Sequence, residues 1–189
     1  MVYLDQYHSL VPASMLDNPA ITSLLGLLVE RPLHLYALSK ELPRRLDASG
    51  LPTGRGSLRN LLVRLHDIGW IELVRPDATD DVATYRTTRE GVDELRKRVR
   101  SQVEDTSPDH DHFIQAIAYI GLFEAQEACL LLGRRRERLA THLADVTREH
   151  ARALDGGQPW THLAEVDYTL SQTAAAIAWL DRTIDRLRS

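Results

Sequence analysis

Residues 24 to 95 contain three patterns whose order limits the fold more than any other feature of the chain. An apolar helical stretch (LLGLLVERPLHLYALSKEL) comes first, then a glycine-rich turn and a second helical stretch (TGRGSLRNLLVRLHDIGWIELV), then TYRTTREGVDEL. Apolar residues recur at helical spacing in the first two stretches, and strand-like segments follow them. This order predicts a helix-turn-helix and then a β-hairpin, the layout of a winged helix. The expected fold is therefore mainly α with a small β-hairpin.

The helix predicted near residues 57 to 69 has a face that the core does not need. Its apolar side chains fall on one side of a helical wheel: Leu58, Leu61, Leu62, Leu65 and Ile68. Ser57 is placed as an N-cap, and Gly69 is placed to end the helix. Arg59 and Asn60 point away from the apolar side, with Arg64 at its flank. Because a helix of this size fits the major groove, the pattern indicates a DNA-binding helix.

The segments WIELVR and ATYRT flank a polar stretch, PDATDDV, with one proline and three aspartates. They predict two strands joined by an exposed tip, which would be the wing of the fold. Thr87 or Thr88 should cap a helix that runs to about Val103. Pro108 lies where we expect a bend between the two halves of the chain.

Charge is distributed unevenly along the chain. The formal net charge of −4 is unusual for a DNA-binding protein, but residues 31 to 64 carry +5 and residues 106 to 189 carry −3. A single cysteine, Cys129, excludes an internal disulfide, and its apolar surroundings predict a buried side chain. No stretch approaches the ~20 apolar residues of a membrane span, and the N-terminus has no signal-peptide pattern. We therefore expect a cytoplasmic protein.

The second half of the chain predicts long helices. Residues 112 to 123 are apolar on all sides, and residues 124 to 154 carry an apolar stripe. The last helix has a heptad seam, from which we predict these dimerisation residues: Leu163, Leu170, Ile177, Leu180, Ile184 and Leu187. Which side of this helix meets a second subunit, and which meets the preceding helix, stays open. The predicted organisation is an extension (1–17), a winged-helix domain (18–105) and a helical domain (106–189).

Several segments together resemble the PadR family of bacterial transcriptional regulators. They are LGLLVERPLHLYALSKEL at 25 to 42, GRGSLRNLLVRLHDIGWIE at 54 to 72, YRTTREG at 85 to 91 and AWLD at 178 to 181. The resemblance implies a winged-helix domain, a helical dimerisation domain and a dimer that regulates transcription on an inverted-repeat operator. In many members a small aromatic ligand releases the DNA. The chain departs from the family pattern at Leu35, where glycine is common, and at Arg59, where an aromatic residue is common.

Six residues form the predicted DNA-binding set: Tyr36, Arg55, Ser57, Arg59, Asn60 and Arg64. Arginine pairs with guanine and asparagine with adenine in the major groove, which assigns base contacts to Arg59 and Asn60. Arg55, Ser57 and Arg64 would hold phosphates, and Tyr36 would either donate to a phosphate or pack against the next helix.

Aromatic side chains in the second half suggest a place for an effector. Tyr119, Tyr168 and Trp179 are the predicted effector-binding residues, although aromatic dimer core is the alternative. The D-H-D-H run at 109 to 112 alternates metal-ligating types without a convergent geometry, so we expect no metal and no cofactor. No motif of a known enzyme class is present, and we expect no catalysis.

The sequence as a whole indicates a cytoplasmic, dimeric DNA-binding transcriptional regulator, a repressor released by a small aromatic ligand. Two alternatives stay open. One is a winged-helix adaptor that contacts proteins instead of DNA. The other is a regulator of the MarR type, in which helices from both chain ends form the dimer, because residues 1 to 17 precede the matched segments.

Overall fold

The computed structural model describes residues 20–45, 55–74, 83–106 and 110–189. The elements follow in this order: α1 (Ala20–Glu30), β1 (Leu33–His34), α2 (Leu35–Arg45), α3 (Arg55–Asp67), β2 (Ile71–Val74), β3 (Thr84–Thr87), α4 (Arg89–Glu104), α5 (His110–Ile117), a 3-10 turn (Ile120–Leu122), α6 (Ala125–Asp155), a second 3-10 turn (Trp160–His162) and α7 (Ala164–Arg188). The mainly helical fold with a small hairpin is therefore confirmed. The extension predicted for residues 1–17 lies outside the described residues.

The chain divides into two compact units. The first takes in the described residues up to Val99 together with Asp111–Tyr119, and the second takes in Arg100–His110 with Ile120–Ser189. Helix α4 begins in the first unit and ends in the second. The segment Asp111–Tyr119 groups with the first unit although it lies beyond residue 105, where the sequence predicts a domain boundary.

The first unit has the element order of a winged helix-turn-helix. Its core consists of leucines from α1, α2 and α3 with Trp70, Ile71 and the apolar side of α4. The hairpin β2–β3 forms as predicted, with Leu73 opposite Tyr85. A two-residue strand, β1, adds Leu33 on the other side of Tyr85, giving a three-stranded antiparallel sheet in the order β1-β3-β2. Strand β1 is not evident from the sequence pattern, because two residues are too few to show a period.

Helix α3 ends as the sequence predicts but begins earlier. Gly69 follows it with φ +78°, a left-handed conformation that favours glycine, and its N–H donates to the His66 carbonyl. The predicted N-cap role of Ser57 is wrong, because the helix begins at Arg55 and Ser57 lies in its first turn. Thr88 does cap α4, where its Oγ1 accepts from the Gly91 N–H at 3.1 Å.

The segment after α4 is not the uniformly buried helix that its composition predicts. Helix α5 ends at Ile117, a 3-10 turn follows, and Ile114 is 60% exposed. Tyr119 helps to hold this segment in the first unit. Its hydroxyl donates to the Ser23 carbonyl at 3.3 Å, and its ring lies where a side chain at Gly26 would be. Gly26 therefore permits a close approach that any larger residue would block.

The second unit is built on a hairpin of two long helices, α6 and α7. Part of the predicted dimer seam is buried within this pair of helices. Leu163, Leu180 and Ile184 are buried within one chain, and Leu180 is only 1% exposed. Their assignment to a subunit interface is therefore corrected, since a side chain already enclosed by its own chain offers no surface to a partner.

Within the described ranges, no helix is both long and apolar enough to cross a bilayer.

Arginines of α6 hold the C-terminal end of α4 in the second unit. The last carbonyls of a helix have no partner within the helix, and they carry partial negative charge. Arg135 donates to the carbonyls of Val103 and Asp105, and Arg138 donates to the Glu104 carbonyl at 2.7 Å. Burial lowers the pKa of Arg135, and the Asp105 carboxylate partly opposes that shift. These bonds supply the donors that the end of α4 would otherwise lack.

Candidate nucleic-acid interface

The outer face of α3 is polar because its inner face supplies leucines to the core. Leu58, Leu61, Leu62 and Leu65 are buried, whereas Arg59, Asn60 and Arg64 are exposed. One helical turn advances 3.6 residues, so these two sets occupy opposite sides of the same cylinder. The structure therefore brings three of the six predicted DNA-binding residues together on one exposed surface.

The arginines of this surface are free to bind an anion. Neither Arg59 nor Arg64 forms an ion pair with a residue in the described part of the chain. Elsewhere in the first unit, Arg31 pairs with Glu41 at 2.5 Å and Arg86 pairs with Glu72 at 2.6 Å. Because charge-assisted bonds to phosphate or guanine need an available guanidinium, the contrast favours α3 as the binding surface.

Helix α2 adds a row of side chains, of which the predicted DNA-binding set includes only Tyr36. Tyr36 is exposed, and the Lys40 ammonium lies 5.5 Å from the centre of its ring. Lys40 and Arg44 follow Tyr36 at intervals of four residues and are also exposed. Helical spacing alone would have identified this row. A phenol and two cations in line are suited to contact a phosphate backbone.

His34 fixes the start of the same helix. Its Nδ1 accepts the N–H of Ala37 at 3.1 Å, so it provides a capping acceptor. Ser39, one turn later, donates its hydroxyl to the Tyr36 carbonyl at 2.8 Å. These bonds hold the beginning of α2, and with it the backbone that carries Tyr36, in one conformation.

Two features that the sequence indicates near this surface lie outside the described residues. The side chain of Arg55 is one of them, although its backbone begins α3. The acidic tip of the hairpin, with Asp77, Asp80 and Asp81, is the other. Ser57 is exposed in the first turn of α3, where its hydroxyl remains a candidate for a phosphate contact.

The three predicted effector residues have different surroundings. Tyr119 is 6% exposed and belongs to the core of the first unit, so its assignment to an open ligand site is wrong. Tyr168 and Trp179 both lie on α7 in the second unit and are exposed. The Tyr168 hydroxyl accepts from Gln172 Nε2 at 2.7 Å. Of the three predicted residues, Tyr168 and Trp179 are the two whose rings present surface that a ligand or a partner could reach.

A shallow groove of about 350 Å³ lies in the second unit between the start of α6 and the end of α7. It contains neither of these rings, and its lining consists of Ala125, Gln126, Cys129, Leu130, Leu187 and Arg188. Cys129 is half-buried rather than buried, with its Sγ 3.8 Å from the Ile184 carbonyl oxygen.

No group of three or more metal-ligating residues occurs in the described part of the chain. The aspartates of the D-H-D-H run contribute no described side chain.

The chain is similar to several solved structures. No family model matches the chain, and no curated protein is significantly similar to it. Bacillus subtilis PadR in complex with operator DNA is 18% identical, with a TM-score of 0.39 over 88% of this chain and 98% of that one. The same regulator in complex with p-coumaric acid is 17% identical, with a TM-score of 0.40 over 95% and 99%.

A third similar structure is the PadR-like transcriptional regulator of Bacillus cereus. It is 17% identical, with a TM-score of 0.38 over 89% of this chain and 98% of that one. All three of these solved structures are of PadR or PadR-like transcriptional regulators.

Proposed function

We propose that this chain is a sequence-specific DNA-binding transcriptional regulator that inserts α3 into the major groove. The observation that carries the proposal is the outer face of α3, where Arg59, Asn60 and Arg64 are exposed opposite four buried leucines. Arg59 and Asn60 would contact bases and Arg64 a phosphate. Arg55, Ser57 and the row Tyr36, Lys40 and Arg44 would hold the flanking backbone.

The regulator would act as a homodimer on an inverted-repeat operator. Helix α7 supports this proposal because only two of its 25 residues, Leu180 and Ile184, are buried in one chain. Its exposed face carries Tyr168, Ala175 and Trp179, and an apolar face of this kind is typical of a subunit interface. Leu170, Ile177 and Leu187 are half-buried and lie on the side of α7 that carries Leu180 and Ile184, away from that exposed face.

We also propose that the protein is a repressor whose DNA affinity falls when a small aromatic ligand binds. The exposed rings of Tyr168 and Trp179 support an aromatic ligand, because offset stacking between rings is favourable. Because these rings belong to the proposed subunit interface, a ligand bound there would favour one arrangement of the dimer over another and so weaken the operator complex.

The test begins with selection of genomic DNA fragments by the purified protein, repeated with candidate phenolic compounds present. The selected duplex and a scrambled duplex are then titrated with protein across a salt series. Arg59→Ala should weaken operator binding by about 1 to 3 kcal/mol and relax specificity. Arg64→Ala should weaken both duplexes equally and reduce the salt slope by about one unit.

Equal loss of affinity for both duplexes in Arg59→Ala would assign that residue to phosphate instead of base. If the intact protein prefers no selected duplex over the scrambled one at physiological salt, the chain is not a sequence-specific regulator. A winged-helix adaptor that contacts proteins would then be the better interpretation.

A further inference from the structure

One apolar side chain lies in the middle of the polar face of α3. Val63 is 50% exposed, whereas the leucines of the same helix are buried. Successive residues rotate by about 100° around a helix, so Val63 lies about 40° from Arg59 and about 60° from Asn60, between the two. A valine therefore occupies the centre of the surface that the proposed function directs at DNA bases.

The surroundings of Val63 fit a small apolar group better than an apolar groove on a protein. Its neighbours on this helix surface are Arg59, Asn60, Arg64, His66 and Asp67, all polar and exposed. The apolar patch is thus one side chain wide, and the guanidiniums beside it form no ion pair within the described residues. Protein partners that dock on a helix face generally meet several apolar anchors, whereas DNA presents phosphates together with isolated methyl groups.

The major groove displays one kind of apolar group, the C5 methyl of thymine. Valine can cover it at low entropic cost, because its β-branched side chain already has one preferred rotamer in a helix. From Arg59 to Val63 the helix rises about 6 Å, which is close to two base-pair steps of 3.4 Å. Asp67, one turn further on, carries a carboxylate that phosphate would repel, so the contact surface ends beyond Val63.

We infer that Val63 is a specificity residue that contacts the C5 methyl of a thymine, within about two base pairs of the base contacted by Arg59. This inference rests on the proposed DNA-binding function and adds to it one position of the operator half-site. Arg59, Asn60 and Val63 together would select a guanine, an adenine and a thymine on neighbouring base pairs.

The test removes the methyl group from the DNA and the valine from the protein. In the selected operator each thymine is replaced, one at a time, by deoxyuridine, which lacks only the C5 methyl. We expect one position per half-site at which the replacement raises Kd about fourfold, the equivalent of one buried carbon. Val63→Ala should raise Kd for the thymine duplex by a similar factor and should no longer distinguish thymine from deoxyuridine there.

The variant is not expected to disturb the fold, because position 63 is exposed and alanine is the best helix former. Ile114→Ala provides a matched control, since it truncates another exposed aliphatic side chain of the first unit, outside α3. That control should discriminate thymine from deoxyuridine as the intact protein does.

Two results would overturn the inference while leaving the proposed function intact. In the first, the protein prefers the selected duplex, but replacing any one thymine by deoxyuridine leaves Kd unchanged. In the second, Val63→Ala keeps the same ratio between thymine and deoxyuridine duplexes. A protein that prefers no duplex at all would overturn both the inference and the function on which it rests.

Discussion

The first helix of the first unit and the last helix of the second differ sharply in what they bury. Every residue of α1 from Ile21 to Leu28 is buried, whereas α7 buries only Leu180 and Ile184 among its 25 residues. In the first unit, burial on the inside leaves a polar outer face on α3. In the second unit, apolar and aromatic side chains remain outside on α7. Exposed polar groups, as in the first unit, suit nucleic acid as a partner. Exposed apolar groups, as in the second unit, suit a protein or a ligand.

The largest expected contrast lies within α7 itself. Leu180→Asp places a carboxylate at a site that is 1% exposed and should lower the free energy of unfolding by more than about 4 kcal/mol. Ala175→Asp places the same charge on the exposed face and should change the free energy of unfolding by less than about 0.5 kcal/mol. The same variant should convert the proposed dimer to a monomer. Urea titration and sedimentation measure the two effects. An unmodified protein that sediments as a monomer at micromolar concentration would refute the interface assigned to α7.

A second contrast concerns neighbouring arginines of α6. Arg135→Ala leaves the carbonyls of Val103 and Asp105 without their donor. It should lower the free energy of unfolding by about 2 to 4 kcal/mol. Arg136 pairs with Asp181 at 3.0 Å at the surface, so Arg136→Ala should cost less than about 1 kcal/mol. Urea denaturation of both variants checks the difference. Similar losses would mean that the bonds at the end of α4 contribute little to stability.

A third prediction tests how tightly the first unit is packed. Gly26→Ala adds a methyl group that would overlap the Tyr119 ring. We expect it to lower the free energy of unfolding by about 2 kcal/mol. Combining it with Tyr119→Leu should make the two losses less than additive, because the smaller side chain removes the overlap. A thermal or urea denaturation cycle of the three variants measures the coupling, and strict additivity would argue against the contact.

The smallest expected effect has the opposite sign and occurs in the second unit. Gly133 lies inside α6, and a Cβ at this position would have no atom within 4 Å. Gly133→Ala should therefore raise the free energy of unfolding by about 1 kcal/mol, through helix propensity alone. Denaturation of this variant beside Gly26→Ala compares one substitution in two environments. A loss of stability at Gly133 would show that its surroundings are more crowded than the structure indicates.

Features that depend on local periodicity could be predicted from the sequence. The leucines of α3 repeat at helical spacing, which identified both its buried side and its exposed Arg59 and Asn60. Gly69 and Thr88 marked a helix end and a helix start because their chemistry acts on neighbouring backbone groups. The hairpin followed from two short strand-like segments and a polar tip between them.

Features that depend on distant partners could not be predicted in this way. A heptad seam shows that a helix needs an apolar neighbour, but α7 finds that neighbour in α6 of the same chain at Leu180. An aromatic residue such as Tyr119 has the same local pattern whether it lines a pocket or fills a core. Arg135, an unremarkable member of an arginine run, is buried because the end of α4 reaches it.

The contact between Tyr119 and Gly26 also constrains the order in which a newly made chain can complete its structure. These residues are 93 positions apart in the sequence, so the surface of α1 around Gly26 stays uncovered until the ribosome has passed residue 119. At ordinary elongation rates the interval is roughly 5 to 20 seconds. The winged-helix unit of a nascent chain therefore becomes complete only after α4 and α5 have been synthesised, and chaperones that bind exposed apolar helices have that interval in which to act.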